Sequence, residues 1–213
     1  MSREIVSSGI VPGAIEMMDN LSIRAAEGYT GAGYPVDAGA ALVVELDGSA
    51  SMTGVGHTRW ATHGKVSYEN AHPLTGCVDD EVAIVLNGIV ENFRELKESL
   101  EQDGHAFSSE TDAEVVVHLI ERHYTGDLVE AVREAYAELE GHFAFVVIHR
   151  DHPDMLVGAR LQCPLVVGIG EGEMFLASSI AAFLRDTRRV QLIEDGEIVA
   201  ITKDGASFYS VED

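Results

Sequence analysis

The sequence predicts an α+β fold in which largely antiparallel sheets pack against helices. Apolar runs typical of strands lie toward both ends of the chain, and segments with helical periodicity lie between them. The dipeptide Asp204-Gly205 separates the last two runs and is a strong hairpin signal, because such pairs tolerate the positive φ of a tight turn. Strands joined by hairpins pair antiparallel, which favours antiparallel sheets.

The N-terminal part is predicted to hold one helix and two strands. Residues 11–27 place apolar side chains among polar ones after Pro12, a pattern that favours a helix. Residues 40–46 are predicted to form a buried strand that ends in a turn at 47–49. Residues 81–86 are predicted to form a second strand, interrupted at Asn87-Gly88, a dipeptide typical of turns.

Three helices and a series of strands are expected after that point. The first helix carries Phe93, Leu96 and Leu100 at helical spacing, and Gly104 is placed to end it. Two further helices are predicted from pairs with capping-box spacing, which are Thr111 with Glu114 and Asp127 with Glu130. The expected strands cover residues 143–148, 155–157, 165–167, 174–177, 190–193, 198–201 and 208–211.

Composition restricts the class of protein. The 213 residues fit a single domain, 1–213, with 46% hydrophobic residues. The 36 acidic and 14 basic residues give a net charge of −22, which repels nucleic acid and anionic membranes. Such acidity is typical of proteins in a high-salt cytoplasm, but an ordinary acidic surface is an equally good interpretation. No apolar run is long enough for a membrane span, so a cytoplasmic location is expected.

The densest group of polar side chains lies in residues 56–64, between glycines. Arg59 in this segment could bind a ligand carboxylate, because its planar donors match two carboxylate oxygens. A structural salt bridge is the alternative in so acidic a chain. Asn87 and Gly88 could supply hydrogen-bond donors to an oxyanion, or form a simple turn. Asp112, predicted at a helix start, could bind a ligand ammonium group or act only as a cap.

Metal and cofactor sites are not expected. His118 and His123 stand five residues apart, and neither Cys77 nor Cys163 has metal-ligand spacing. The two cysteines are interpreted as reduced thiols. The glycines of residues 168–172 are interpreted as a hairpin rather than a phosphate loop, because the segment contains Glu171 and leads to a strand.

Several of these segments together resemble the glutaminase domain of glucosamine-6-phosphate synthase, a class II glutamine amidotransferase. The resemblance covers about three quarters of the chain, from residue 54 onward. The motifs that carry it are residues 56–64, 70–73 (Asn-Ala-His-Pro), 86–92, 109–115, 164–168, 175–178 and 194–198.

The resemblance implies a four-layer α-β-β-α N-terminal-nucleophile hydrolase sandwich with two antiparallel sheets. It also implies roles for individual residues. Arg59 would bind the glutamine carboxylate, Thr62 and His63 would line the pocket, and Asp112 would bind the glutamine amino group. The side-chain amide of Asn87 and the N–H of Gly88 would form the oxyanion hole, and Trp60 would gate the ammonia path.

The first 53 residues diverge from the family. Family members begin Met-Cys and use that cysteine as nucleophile, whereas this chain has Ser2 followed by Arg3. An N-terminal serine could act in the same way, because a nearby amine can activate a hydroxyl. The expected function is hydrolysis of glutamine to glutamate and ammonia, for amination of fructose 6-phosphate by a separate isomerase domain or subunit. The alternative is a degenerate domain that binds glutamine or glutamate as a sensor or partner subunit.

Overall fold

The computed structural model describes residues 53–57 and 63–212 in full, and the backbone alone of residues 12–19 and 40–46. In these ranges the strands are β1 (Pro12–Asp19), β2 (Ala40–Leu46), β3 (Gly56–His57), β4 (Leu74–Thr75), β5 (Val82–Val90), β6 (Gly141–His149), β7 (Leu156–Leu161), β8 (Val166–Ile169), β9 (Met174–Ala177), β10 (Val190–Leu192), β11 (Glu197–Thr202) and β12 (Gly205–Ser210). The helices are α1 (Phe93–Gln102), α2 (Glu114–His123) and α3 (Leu128–Glu138), with a short 3₁₀ helix at Ile180–Ala182.

A six-stranded antiparallel sheet with the order β12-β11-β7-β6-β5-β4 forms the centre of the described structure. Its strands bury side chains on both faces, since successive residues of a strand point to opposite sides. In β5, Ile84 and Leu86 face one core while Val85 faces the other. In β6, Phe145 likewise faces the first core and Val146 the second. The sheet therefore needs a covering layer on each face.

Helices α1, α2 and α3 cover the first face and share its core. Every residue of α2 from Glu114 to Ile120 is buried, as expected for a helix packed on several sides. The second face is covered by a three-stranded antiparallel sheet with the order β10-β8-β9, whose Val167 lies in the second core. These layers form a helix-sheet-sheet sandwich. None of the helices in the described ranges is long and apolar enough to cross a membrane.

The helix ends confirm two sequence predictions and correct a third. The side chain of Asp127 caps α3 by accepting the N–H groups of Val129 and Glu130, and Gly104 follows α1 with a φ of 98°. Thr111, however, does not cap α2, whose N-terminal flanking residue is Ala113 with no side-chain cap. The carboxylate of Glu114 instead reaches the preceding loop, a contact that the capping-box spacing did not predict.

The helix predicted over residues 11–27 is wrong for residues 12–19. These form strand β1, which pairs antiparallel with β2 and, over two residues, parallel with β3. Pro12 and Gly13 are weak helix formers, and pairing with the apolar strand β2 decides the local structure. The strand predicted at 40–46 is confirmed. The rest of the predicted helix, and the turn at 47–49, lie outside the described residues.

The predicted interruption of the second strand at Asn87-Gly88 is also wrong. Strand β5 continues to Val90, with Gly88 directly opposite Phe143 of β6. Gly88 has a φ of 120°, and a Cβ at this position would lie 2.1 Å from the carbonyl oxygen of His142. Only glycine allows this close approach of the two strands. The dipeptide signal thus reflected a strained strand position and not a turn.

Candidate functional site

A cavity of about 330 Å³ lies beside the C-terminal half of β5, a volume at the lower end of the range for small-molecule sites. Strand β5, the loop that contains His63, the loop before α2 and the start of β6 contribute its wall. The lining residues are His57, His63, His72, Leu86, Asn87, Gly88, Ile89, Thr111, Asp112, Ala113, His142 and Cys163. The cavity therefore brings together segments that lie far apart in the sequence.

Four of the predicted site residues line this one cavity: Asn87, Gly88, His63 and Asp112. Asn87 is exposed, and its side-chain amide makes no hydrogen bond to the part of the chain that the structure describes. Its donors are therefore available to a ligand. The other four predicted residues, Ser2, Arg59, Trp60 and Thr62, lie outside the described residues.

Asp112 is the buried carboxyl side chain of the cavity. Its Oδ2 accepts the N–H of Val90 at 2.8 Å, and its Oδ1 lies 3.4 Å from Nδ1 of His63. The Asp112 side chain is 5% exposed, whereas that of His63 is 37% exposed. One carboxylate oxygen thus fixes the side chain to β5, and the other faces the histidine at the cavity wall.

Asn70 joins the two loops that carry this pair. The buried Asn70 side chain donates to the carbonyl of Lys65 at 3.0 Å and to Glu110 Oε2 at 3.1 Å, and accepts the N–H of Glu110 at 2.8 Å. The glycine after His63, Gly64, allows this close packing, because a Cβ there would lie 2.8 Å from the Asn70 amide nitrogen. Asn70 therefore holds the His63 loop close to the Asp112 loop.

The carboxylate of Glu114 holds the Asp112 loop from its other side. It accepts the N–H and hydroxyl groups of both Ser108 and Ser109 at 2.5–2.9 Å, and the Ser109 hydroxyl contacts that of Thr111 at 2.8 Å. Burial alone would raise the pKa of Glu114, but the His118 side chain and these donors lower that pKa to about 2. Glu114 is therefore ionised at neutral pH, and this charge strengthens its hydrogen bonds to the loop.

Several lining residues had no predicted role, namely His57, His72, His142 and Cys163. The rings of His57 and His72 lie 4.5 Å apart. His142 is directly opposite Ile89 in the β5–β6 register, a proximity that only the strand pairing shows. Burial raises the pKa of Cys163, so its thiol is protonated near neutral pH and is a poor nucleophile.

The described cavity offers one buried carboxylate, imidazole groups and a side-chain amide with available donors. A carboxylate acceptor is suited to a ligand ammonium group, and amide donors are suited to a carbonyl oxygen that gains negative charge. No lysine or arginine among the described residues lines the cavity. These groups suit a small polar ligand with an amino group.

Comparison with known proteins assigns the family. Residues 57–185, more than half of the chain, match the family model described as glutamine amidotransferase domain. Residues 1–83 match a second model, described as FAD linked oxidases, C-terminal domain, which covers less than half of the chain and overlaps the first match.

Curated relatives agree with the first match. A glutamine–fructose-6-phosphate aminotransferase (isomerizing) of Thermus thermophilus is 46% identical over 210 residues, covering 92% of this chain and 34% of the relative. The protein of the same name from Thermotoga maritima is 49% identical over 161 residues, covering 76% of this chain and 26% of the relative. The chain thus spans about a third or less of the length of these relatives.

Solved structures agree with the fold. A glutamine phosphoribosylpyrophosphate amidotransferase from B. subtilis, complexed with ADP and GMP, is 27% identical with a TM-score of 0.61, and the match covers 73% of this chain and 34% of that one. The structure of an allosteric regulatory enzyme of purine biosynthesis gives a TM-score of 0.62 at the same identity and coverage. The predicted N-terminal-nucleophile hydrolase sandwich is confirmed. Three of its four predicted layers lie in the described ranges. The chain belongs to the glutamine amidotransferase domain family.

Proposed function

We propose that this domain binds glutamine in the described cavity and hydrolyses it with water to glutamate and ammonia. The observation that carries the proposal is that Asn87, Gly88, His63 and Asp112, which the family resemblance singles out, line a single cavity. Membership of the amidotransferase family supports the same reaction. Glutamine offers an ammonium, a carboxylate and an amide to such a site.

The α-amino group of glutamine is assigned to Asp112. A buried carboxylate already fixed by the N–H of Val90 needs no reordering to accept an ammonium group. His63, 3.4 Å from the same carboxylate, would line this part of the site. The resemblance assigns the glutamine carboxylate to Arg59, with Thr62 beside it.

The reacting amide is assigned to the wall formed by β5. The side-chain amide of Asn87 and the N–H of Gly88 would stabilise the negative oxygen of the tetrahedral intermediate, a contribution of about 3 kcal/mol per donor. Trp60 would close the route by which ammonia leaves. The nucleophile assigned by position is Ser2, whose hydroxyl needs a base such as its own α-amino group after removal of Met1.

The ammonia is proposed to aminate fructose 6-phosphate on a sugar-phosphate isomerase domain or subunit. Relatives that include this domain within a much longer chain are named for that reaction. The chain would therefore work as the glutamine-hydrolysing part of a larger enzyme.

Calorimetric titration with glutamine tests the binding roles. Arg59→Ala is expected to weaken glutamine binding by about 10-fold or more, because a charge-assisted contact contributes about 1.5–3 kcal/mol. Asn87→Ala is expected to change binding much less, since its donors act on the transition state. Arg188→Ala, an exposed arginine outside the cavity lining, is the control and should bind as the unmodified chain does. Equal losses for Arg59→Ala and Asn87→Ala would contradict the two roles.

Ammonia and glutamate release test the catalytic step. We expect slow release from the chain with Ser2, and faster release when Ser2→Cys is combined with deletion of Arg3, since a thiol is the stronger nucleophile. Rapid turnover by the unmodified chain would show that Ser2 is a competent nucleophile. Glutamine binding without turnover in either protein would instead favour a glutamine-binding sensor or partner subunit.

A further inference from the structure

Four side chains that can ligate a metal meet beside helix α2, outside the lining of the glutamine cavity. Their ligand atoms all lie within 4.8 Å of one another, and they belong to Cys77, His105, His118 and Glu121. We propose that this group, the α2 cluster, binds one structural zinc ion. The proposal is independent of glutamine chemistry.

Three of the six ligand-atom distances within the α2 cluster match those of a tetrahedral zinc site. With Zn–S of about 2.3 Å and Zn–N or Zn–O of about 2.0–2.1 Å, the ligand atoms of such a site lie about 3.3–3.6 Å apart. Cys77 Sγ lies 3.4 Å from His105 Nδ1 and 3.5 Å from Glu121 Oε2. His105 Nδ1 lies 3.3 Å from the same carboxylate oxygen. The distance from His118 Nδ1 to Glu121 Oε2 is 2.8 Å and would open by about half an ångström. The distances from His118 to the ligand atoms of Cys77 and His105 lie within 4.8 Å.

The backbone around Glu121 is shaped to present one carboxylate oxygen to the cluster. Its Oε1 accepts the N–H of Val78 at 2.9 Å, which leaves Oε2 for the cluster. Gly76 makes this approach possible, because a Cβ at that position would lie 2.0 Å from Oε1. A carboxylate held by a second hydrogen bond is typical of a ligand that is oriented before the metal binds.

His118 is oriented in the way that metal-bound histidines usually are. Its side chain is 1% exposed, with Nδ1 toward Glu121 and Nε2 at 3.6 Å from Glu114 Oε1. That distance is too long for a hydrogen bond, and Nε2 has no hydrogen-bond partner among the described residues. An imidazole that binds a metal through one nitrogen commonly directs the other toward a carboxylate. Glu114 supplies that carboxylate.

The ligand set selects zinc over the hard cations. Thiolate and imidazole ligands suit zinc, whereas magnesium and calcium prefer oxygen ligands. A thiolate and a carboxylate together neutralise the two charges of Zn²⁺, which suits a partly buried site. His123, whose spacing from His118 argued against zinc in the sequence, contacts Glu134 and Glu138 and takes no part in the α2 cluster.

A zinc ion here would join three segments that are distant in the sequence. Cys77 lies in the β4–β5 turn, His105 follows α1, and the other two ligands lie on α2. The competing interpretation is a network of hydrogen bonds between the same side chains. Only the metal interpretation predicts stoichiometric, thiol-dependent binding of zinc.

The test uses the full 213-residue chain without an affinity tag, treated with a chelator and then titrated with Zn²⁺ against a chromophoric competitor. We expect one Zn²⁺ per chain. Cys77→Ser and His105→Ala should each weaken zinc binding by about 100-fold or more, since loss of an outer-shell partner alone costs about 10–100-fold. Cys163→Ser is the matched control, because Cys163 lies in the glutamine cavity, and it should bind zinc as the unmodified chain does.

Cobalt substitution tests directly whether the Cys77 thiolate is a ligand. Co²⁺ bound to a thiolate gives charge-transfer absorption in the near ultraviolet, which we expect in the unmodified chain and in Cys163→Ser but not in Cys77→Ser. Failure of the unmodified chain to bind stoichiometric zinc would overturn the proposal. Undiminished zinc affinity in both Cys77→Ser and His105→Ala would overturn it as well, whatever the glutamine-binding results.

Discussion

Replacing Asp112 separates ligand recognition from fold stability, because its two carboxylate oxygens have different partners. Oδ2 accepts the buried N–H of Val90, and Oδ1 faces His63 at the cavity. Asp112→Asn keeps an oxygen for Val90 but loses the charge. Asp112→Ala loses both. The pair of variants therefore distinguishes the two contributions.

The expected magnitudes follow from these contacts. An ammonium–carboxylate contact contributes about 1.5–3 kcal/mol, so Asp112→Asn should weaken glutamine binding by about 10- to 150-fold. Asp112→Ala should weaken binding at least as much and also leave the Val90 N–H without its partner. That buried donor costs about 1–3 kcal/mol, which corresponds to a decrease in Tm of about 2–12 °C for a domain of this size.

Titration calorimetry with glutamine and thermal unfolding of the same preparations measure the two effects. Asp204→Asn, in the exposed turn between β11 and β12 with a side chain 80% exposed, is the control and should change neither quantity. Glutamine affinity unchanged in Asp112→Asn would refute the ammonium role. A loss of stability as large in Asp112→Asn as in Asp112→Ala would refute the assignment of the Val90 contact.

Two further predictions concern stability. Gly88→Ala should lower the free energy of unfolding by about 1–3 kcal/mol through the clash with His142, in addition to about 1–2 kcal/mol from its positive φ. Gly172→Ala is the control, because Gly172 has a positive φ but open space around it, and it should lose only the second amount. Equal losses for the two variants in urea unfolding would contradict the close approach of the strands at Gly88. Burial lowers the pKa of His149 below its ordinary value, so the unfolded chain binds the extra proton more readily, and stability should fall as the pH falls below about 6.5. His149→Gln should reduce that slope in urea unfolding measured across the same pH range, and an unchanged slope would show that His149 does not cause it.

In the described ranges, the sequence predicted most of the strands and all three long helices, because their periodicity is local. It failed where pairing with a distant segment decides the conformation. Residues 12–19 are a strand because β2 lies beside them, and Asn87-Gly88 stays in the sheet because β6 follows it in register. A single dipeptide cannot distinguish a turn from a strained strand position.

Only part of the candidate site was predicted, because some of its residues come together only through the pairing of distant segments. Motif resemblance singled out Asn87 and Asp112, which line one cavity. It gave no role to His142, which reaches the cavity only through the β5–β6 register. Cys77 and His105 come close together only after folding, so local metal-ligand spacing could not reveal the α2 cluster.

The loop that carries Asp112 is held in place from outside the cavity. Asn70 fixes it on one side, Glu114 on another, and the N–H of Val90 holds the Asp112 carboxylate itself. A ligand that binds here need not order this loop, so the loop itself adds little conformational entropy cost to binding. Glu114 also faces His118. A metal ion bound by His118 in the α2 cluster would therefore stabilise the same loop through two contacts, from His118 to Glu114 and from Glu114 to the loop. Ligand recognition and the proposed zinc site thus share the structural element between α1 and α2, although their ligands and their tests are separate.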